Sequence, residues 1–244
     1  MCALAHYLER EGLATALIAI IPRHAERMRP PRALAVPFEL GRPLGAPNAP
    51  AFQRRVLVAL LDLFKLAKGP ALVAFPDQAP AASADEEGWA CPINLSPPPA
   101  GSPFDQLQSA LQDEIERLRP WHDEAKRARG RTTVGISGMP VTDVPALMMS
   151  FAQNLALPSP QAGVPTVVVI KRATDDLKAF YYEAATAKPG RINDVALADW
   201  LWGETAFGRA LLALRKACLM SEEAAIKNLG QLQLMPNHQR DKRK

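Results

Sequence analysis

The sequence predicts an α/β fold, a small parallel sheet flanked by helices, with a largely helical C-terminal half. Three observations carry that expectation. In the first 47 residues two short apolar runs, Ala14 to Ile21 and Ala33 to Phe38, are separated by a charged helical turn from Arg23 to Met28. Alternation of strand and helix is the mark of a parallel α/β layer. The second run feeds a glycine-bracketed loop, Gly41-Arg42-Pro43-Leu44-Gly45, and ligands of open parallel sheets sit where strands end and loops begin. From Phe104 onward the apolar residues recur at helical spacing instead, as at Leu107, Leu111, Ile115 and Leu118.

Each element has its own local signal. Ala3 to Glu11 is a good helix former that ends at Gly12, a glycine placed to take the left-handed turn after a helix. Leu4 and Leu8 share one face of it and are expected to point inward. The Ala14–Ile21 strand is stopped by Pro22, and a Pro30-Pro31-Arg32 corner precedes the second strand. Ala51 to Ala67 reads as a helix with Val56, Leu60 and Leu63 on the inner stripe and Leu57, Leu61 and Phe64 widening it. A Pro-, Ala- and Ser-rich stretch, residues 69–103, reads as a crossing or linker, with Trp89 and Cys91 pinning it to the body.

The remainder, 104–236, is expected to be mainly helical. Pro120 should break or kink the helix from Phe104 to Gly130. Arg131 to Gly138 reads as a short strand running into a turn. Thr142 or Asp143 caps the next helix. Thr166 to Ile170 has strand propensity, yet runs into a strongly helical Asp175 to Lys188, so a helix reaching upstream is the alternative. Asp175, Asp176, Lys178, Tyr181, Tyr182 and Glu183 are expected mostly on an exposed helix face. Val195 to Lys216 reads as one long helical region, in which Trp200 and Trp202 anchor the core and Glu204 pairs with Arg209. Ser221 can cap a final short helix, and the basic tail 237–244 is expected to be disordered.

Composition excludes several classes of function. Of the 244 residues 48% are hydrophobic and 22% charged, ordinary for a soluble globular protein. The net charge of +4 is concentrated in the last six residues, which carry four positive charges and one negative, so the body is nearly neutral and no nucleic-acid partner is expected. Three cysteines, Cys2, Cys91 and Cys218, form no CxxC pair, and the four histidines show no metal-ligand spacing. Neither a metal nor another cofactor is expected. No apolar run reaches the ~20 residues of a membrane span, and no secretion signal opens the chain. The expected location is the cytoplasm.

The candidate site lies in residues 1–68. Cys2 precedes a helix, where the peptide dipoles favour a thiolate, and His6 follows one helical turn later. Gly41 and Gly45 let the backbone turn sharply and approach a ligand, while Arg42 offers a fork for a carboxylate. His24, Glu26 and Arg32 lie around the neighbouring corner as further acid, base and anion contacts.

The first 45 or so residues resemble the selenoprotein B subunits of glycine, sarcosine and betaine reductases and their D-proline reductase relatives. The matching residues are Cys2, Glu9-Arg10-Glu11-Gly12, Ala14 to Ile21, Pro31-Arg32 and the loop Pro37-Phe38-Glu39-Leu40-Gly41-Arg42-Pro43-Leu44-Gly45. They cover under a fifth of the chain. The resemblance implies thiol-dependent reductive cleavage of a small amino-acid-like substrate, with Cys2 as nucleophile or resolving thiol, Arg32 and Arg42 orienting the substrate, and a protein redox partner or further subunit resolving the adduct. In that family a selenocysteine stands three positions before the residue matching Cys2, and this chain has no such position. Either upstream sequence is missing, or the chain is a non-catalytic subunit or scaffold that keeps the fold without the redox pair.

Overall fold

The computed structural model describes residues 1–38, 40–66, 69–78, 103–190, 192 and 194–242. The chain divides into two compact units, Met1–Asp85 and Glu86–Lys244. Trp89 and Cys91 lie outside the described residues.

The first unit is the small parallel sheet. Helix α1 spans Cys2–Arg10 and ends as Gly12 requires: the glycine adopts φ 82°, and Leu13 N–H reaches back to the Leu8 carbonyl at 2.9 Å. Its inward face differs from the expected one. Cys2 and Ala5 are buried, whereas Leu4 is 48% exposed. Small side chains one turn apart let the helix approach its neighbour closely, and that rotates Leu4 to the outside.

Strand β1 (Leu17–Ala19), helix α2 (Pro22–Met28), strand β2 (Arg32–Ala35), helix α3 (Pro50–Asp62) and strand β3 (Ala71–Ala74) follow. The strands are parallel in the order β1-β2-β3, with Leu17 opposite Ala33 and Ala33 opposite Leu72. β3 falls in the stretch expected to be a crossing. The five residues between Pro70 and Pro76 are too few to show a period, and the strand is held by pairing, from Ala71 N–H to the Pro31 carbonyl through Phe75 N–H to the Ala35 carbonyl.

Side chains alternate across this sheet. Leu17, Ala19 and Ala33 face α2 through Ala25. Ile18 and Leu34 face α3, where Phe52, Val56 and Leu63 complete the core. Phe38, Phe52 and Phe75 close that core edge-to-face, with centroids 5.5 to 5.9 Å apart. Leu57, Leu61 and Phe64, expected to widen the inner stripe, are exposed.

The second unit is helical. Helix α4 (Pro103–Arg129) continues through Pro120, because its core residues on both sides of the proline, Leu111, Ile115, Leu118 and Ala125, are buried. Helix α5 (Val144–Gln153) and helix α6 (Thr166–Ala187) pack with it. Thr166 to Ile170 is therefore helix, the alternative reading. Val169, Ile170, Ala173 and Leu177 are fully buried at helical spacing, so tertiary packing overrides strand propensity.

The region from Val195 splits into helix α7 (Asp194–Gly203) and helix α8 (Ala206–Leu219). The break is at Thr205, whose hydroxyl accepts the Gly208 N–H at 2.9 Å and donates to the Leu201 carbonyl at 2.7 Å. Trp200 and Trp202 are buried in the core, as expected. Arg209 meets the backbone carbonyl of Glu204, not its carboxylate. Helix α9 (Ala224–Asn228) has Glu223 at its N-cap, and the Ser221 hydroxyl accepts only the Glu223 N–H.

In the tail expected to be disordered, Asn237–Asp241 forms helix α10, and residues 243–244 lie outside the described residues. Gln239 is buried and donates to Asp199, which Lys242 also holds at 2.7 Å. Among the described residues no helix is long and apolar enough to cross a membrane.

Candidate functional site

The expected site residues lie on α1, α2, β2 and the loop that follows β2. The chain leaves the carboxyl end of β2 through Phe38, whose ring belongs to the core, and then turns over Gly41 and Gly45 at φ 88° and 85°. These are backbone conformations that L side chains rarely adopt. Gly45 N–H closes the turn onto the Arg42 carbonyl at 2.9 Å. Just beyond it the Gln53 side chain of α3 donates to the Ala46 carbonyl at 2.8 Å, tying the loop to the helix. Gly41 and Arg42 are exposed and Gly45 is buried. A side chain at Gly41 would meet open space, so this glycine serves the turn.

Cys2 is buried in the first turn of α1, on the same face as Ala5. It is one of two free thiols among the described residues; the other, Cys218, belongs to the second unit. Burial pushes the Cys218 thiol up to about 11, leaving it a weak nucleophile at neutral pH. His6 does not turn toward Cys2. Its Nε2 lies 3.1 Å from the Met28 carbonyl, tying α1 to the end of α2. His24 and Glu26 are exposed on α2.

Arg32 is held elsewhere. It is the first residue of β2, and its guanidinium donates to Glu9 at 2.8 Å and to the Leu66 carbonyl at 3.4 Å. Glu9 also accepts the backbone N–H and hydroxyl of Thr15. The Thr15 N–H is the largest of the influences that keep the Glu9 carboxyl below its usual range, and Arg32 adds to it. This cluster closes the amino end of the sheet. The Gly41–Gly45 loop follows the carboxyl end of the same strand, whereas Arg32 stands at its amino end. Cys2 is seven residues before Glu9 on α1, about 10 Å along the helix axis.

The second unit contains polar residues with more elaborate surroundings, and three of them were expected on an exposed face. Asp176, Tyr181 and Glu183 of α6 are buried. Asp176 accepts the N–H groups of Gly135, Ile136 and Ser137 at 2.7 to 2.9 Å, and the Ser137 hydroxyl as well. Glu183 accepts both hydroxyls of Thr132 and Thr133 and the Thr133 N–H. Those bonds are why residues 131–138 form a loop and not a strand, since their donors are spent on α6. His122 stacks on Phe180 with its Nε2 at 3.2 Å from Glu183. Burial by itself would raise the Glu183 carboxyl, but the Thr132 and Thr133 bonds and His122 outweigh it and hold the group below its usual range.

Glu114 is a different case. It is almost fully buried on α4 and accepts Ala206 N–H at 2.6 Å, the Tyr181 hydroxyl at 2.8 Å and Phe207 N–H at 3.2 Å. Burial nevertheless dominates and lifts its carboxyl above the usual range. Tyr181 is pushed well above the phenol range, first by burial and then by the Glu114 charge. All of these carboxylates bind the chain's own backbone, so they order the second unit. A sequence signal existed for Glu114, which follows Leu111 by three positions on the apolar stripe of α4. Asp176, three after Ala173 and next to Leu177, sits on a core stripe in the same way.

Among the described residues no group of three or more His, Cys, Asp or Glu is arranged to hold a metal ion. Comparison with protein-family models, with curated proteins and with solved structures returns no match.

Proposed function

We propose that this chain is a thiol-dependent, reductase-like protein of the selenoprotein B type, acting on a small amino-acid-like substrate. The supporting observation is the Gly41–Gly45 turn, exposed at Gly41 and Arg42, in the loop after the carboxyl end of a parallel strand, where such sheets take ligands. Arg42 in that turn would receive the substrate carboxylate. Arg32 has no part in this reading, because Glu9 and the Leu66 carbonyl hold it at the other end of β2.

The chemistry balances with one sulfur here and a dithiol supplied by a partner. The Cys2 thiolate forms a bond to the substrate α-carbon, and the carbon–nitrogen bond breaks with the amine taking its electron pair. A partner thiolate then attacks the Cys2 sulfur. A disulfide forms, and the carbon leaves with the electron pair and collects a proton. A second partner thiol frees Cys2, so the two electrons come from the partner dithiol. The direct test follows dithiol-dependent release of amine from glycine, sarcosine, betaine and D-proline analogues, with Cys2→Ser as control. Release that depends on Cys2 supports the proposal, and absence of release from every substrate class overturns it.

A second reading is favoured by the burial of Cys2 and by the lack of a second thiol in the described part of the first unit. In that reading the chain is a non-catalytic subunit or scaffold that keeps the fold. It expects iodoacetamide to alkylate native Cys2 no faster than a model thiol, and Cys2→Ser to leave folding unchanged.

A further inference from the structure

Helix α3 carries a second, exposed apolar stripe beside its buried one. Its inner stripe, Phe52, Val56 and Leu63 with Leu60 beside them, is the core of the first unit. Its outer stripe carries Leu57, Val58, Leu61 and, in the turn that extends the helix, Phe64, which are 42%, 49%, 59% and 45% exposed. Leu57, Leu61 and Phe64 recur at i, i+4 and i+7, the same period that marks a buried stripe, and Val58 flanks them. An exposed apolar stripe of this width is normally covered, since solvated helices place charge where α3 places these four.

The charges around this stripe identify the cover. Arg54 and Asp62 are exposed and lie four residues before and after Val58, so Arg54, Val58 and Asp62 form one i±4 ridge. A two-fold axis through Val58, with the helices antiparallel, sets Arg54 of each copy opposite Asp62 of the other. Asp62 already carries an exposed partner in its own chain, Lys65 at 2.6 Å, which would complete a three-charge rim. Leu57 and Leu61 then fill the centre. Parallel packing would oppose arginine to arginine and lose this complementarity. We propose that the outer face of α3 is a self-association surface, occupied by α3 of a second copy of this chain. The exposed apolar side chains amount to roughly 400 Å² per copy, below the ~800 Å² per partner of a standard interface, so the dimer belongs to the weak, micromolar class.

The experiment is sedimentation velocity of the full chain from about 1 to 100 μM, a range that brackets such an affinity. Four proteins are compared: unaltered, Arg54→Glu, Asp62→Arg, and the double swap. Both substituted positions are exposed, and circular dichroism verifies that each protein is folded. The expected result is a monomer–dimer equilibrium weakened about tenfold or more by either single swap, as two lost ion pairs and two new repulsions require. The double swap should restore it, because opposite charges then face each other again across the two-fold axis. A chain that stays monomeric throughout, whether a different protein covers α3 or none does, overturns the proposal. So does a dimer that ignores all three variants, since its interface is then elsewhere.

Discussion

The Glu114 carboxylate caps the first turn of α8 from another helix, accepting the Ala206 N–H at 2.6 Å. Its other oxygen takes Phe207 N–H and the Tyr181 hydroxyl. One side chain thus satisfies two donors that a helix start leaves orphaned, and it joins α4, α6 and α8.

Removing that group should be costly. Glu114→Ala leaves two backbone donors and a phenol buried without partners, and should lower unfolding free energy by about 3 kcal/mol or more in urea titrations. The pH dependence has a defined sign. Burial raises the carboxyl in the folded protein, so its contribution is fully present below the unfolded value and falls as pH rises through the folded one. Glu114→Gln, uncharged at every pH, should lack that fall. Equal slopes of stability against pH above 4.5 in the two proteins would contradict this account.

Glu183 should behave in the opposite sense. Its carboxyl is held below the usual range by Thr132, Thr133 and His122 despite burial. Its contribution is therefore present above the unfolded value and is lost as pH falls through the lower folded one. Glu183→Gln should flatten the acid limb of the stability curve and loosen residues 131–134. Hydrogen exchange at the Thr133 amide, which donates to Glu183 at 2.8 Å, reads the second effect directly.

Two glycines of the first unit should respond differently to alanine. At Gly69 a methyl group would lie 2.2 Å from the Pro31 carbonyl oxygen, the acceptor that starts the β2–β3 pairing. Gly69→Ala must shift that backbone and should cost about 2 kcal/mol or more, with amide exchange rising at Ala71 and Phe75. Gly41→Ala meets open space, and only its positive φ resists, at about 1 kcal/mol. If both variants melt alike, the close approach at Gly69 is not what fixes β3.

What was legible follows from the range of the interactions. Helix ends and turns are written locally: Gly12 stops α1, and Gly41 and Gly45 shape a turn. The parallel layer was readable because its apolar runs alternate with a helical turn. β3 was not, being four residues whose strand character comes only from pairing with β2. The loop at 131–138 failed for the same reason, since its N–H groups go to carboxylates some forty to fifty residues away. Arg32 shows the limit for the site. Its sequence neighbours suggested an anion contact, while its actual anion is Glu9, twenty-three residues earlier.

The two arginines can therefore be separated by experiment. Arg32→Gln removes the guanidinium that ties Glu9 to β2 and to the Leu66 carbonyl. It should lower the melting temperature of the first unit and, because the Glu9 carboxyl is held below its usual range mainly by Thr15 and then by Arg32, shift part of its acid stability to higher pH. Arg42→Gln, in an exposed turn whose backbone is closed by the Gly45 N–H, should lower the melting temperature less than Arg32→Gln does. Under the reductase reading it should instead raise KM for a carboxylate substrate about tenfold with kcat little altered, the signature of lost uniform binding. A melting temperature lowered equally by both substitutions would assign Arg42 to the fold, and the carboxylate contact would have to be sought elsewhere along the carboxyl end of the sheet.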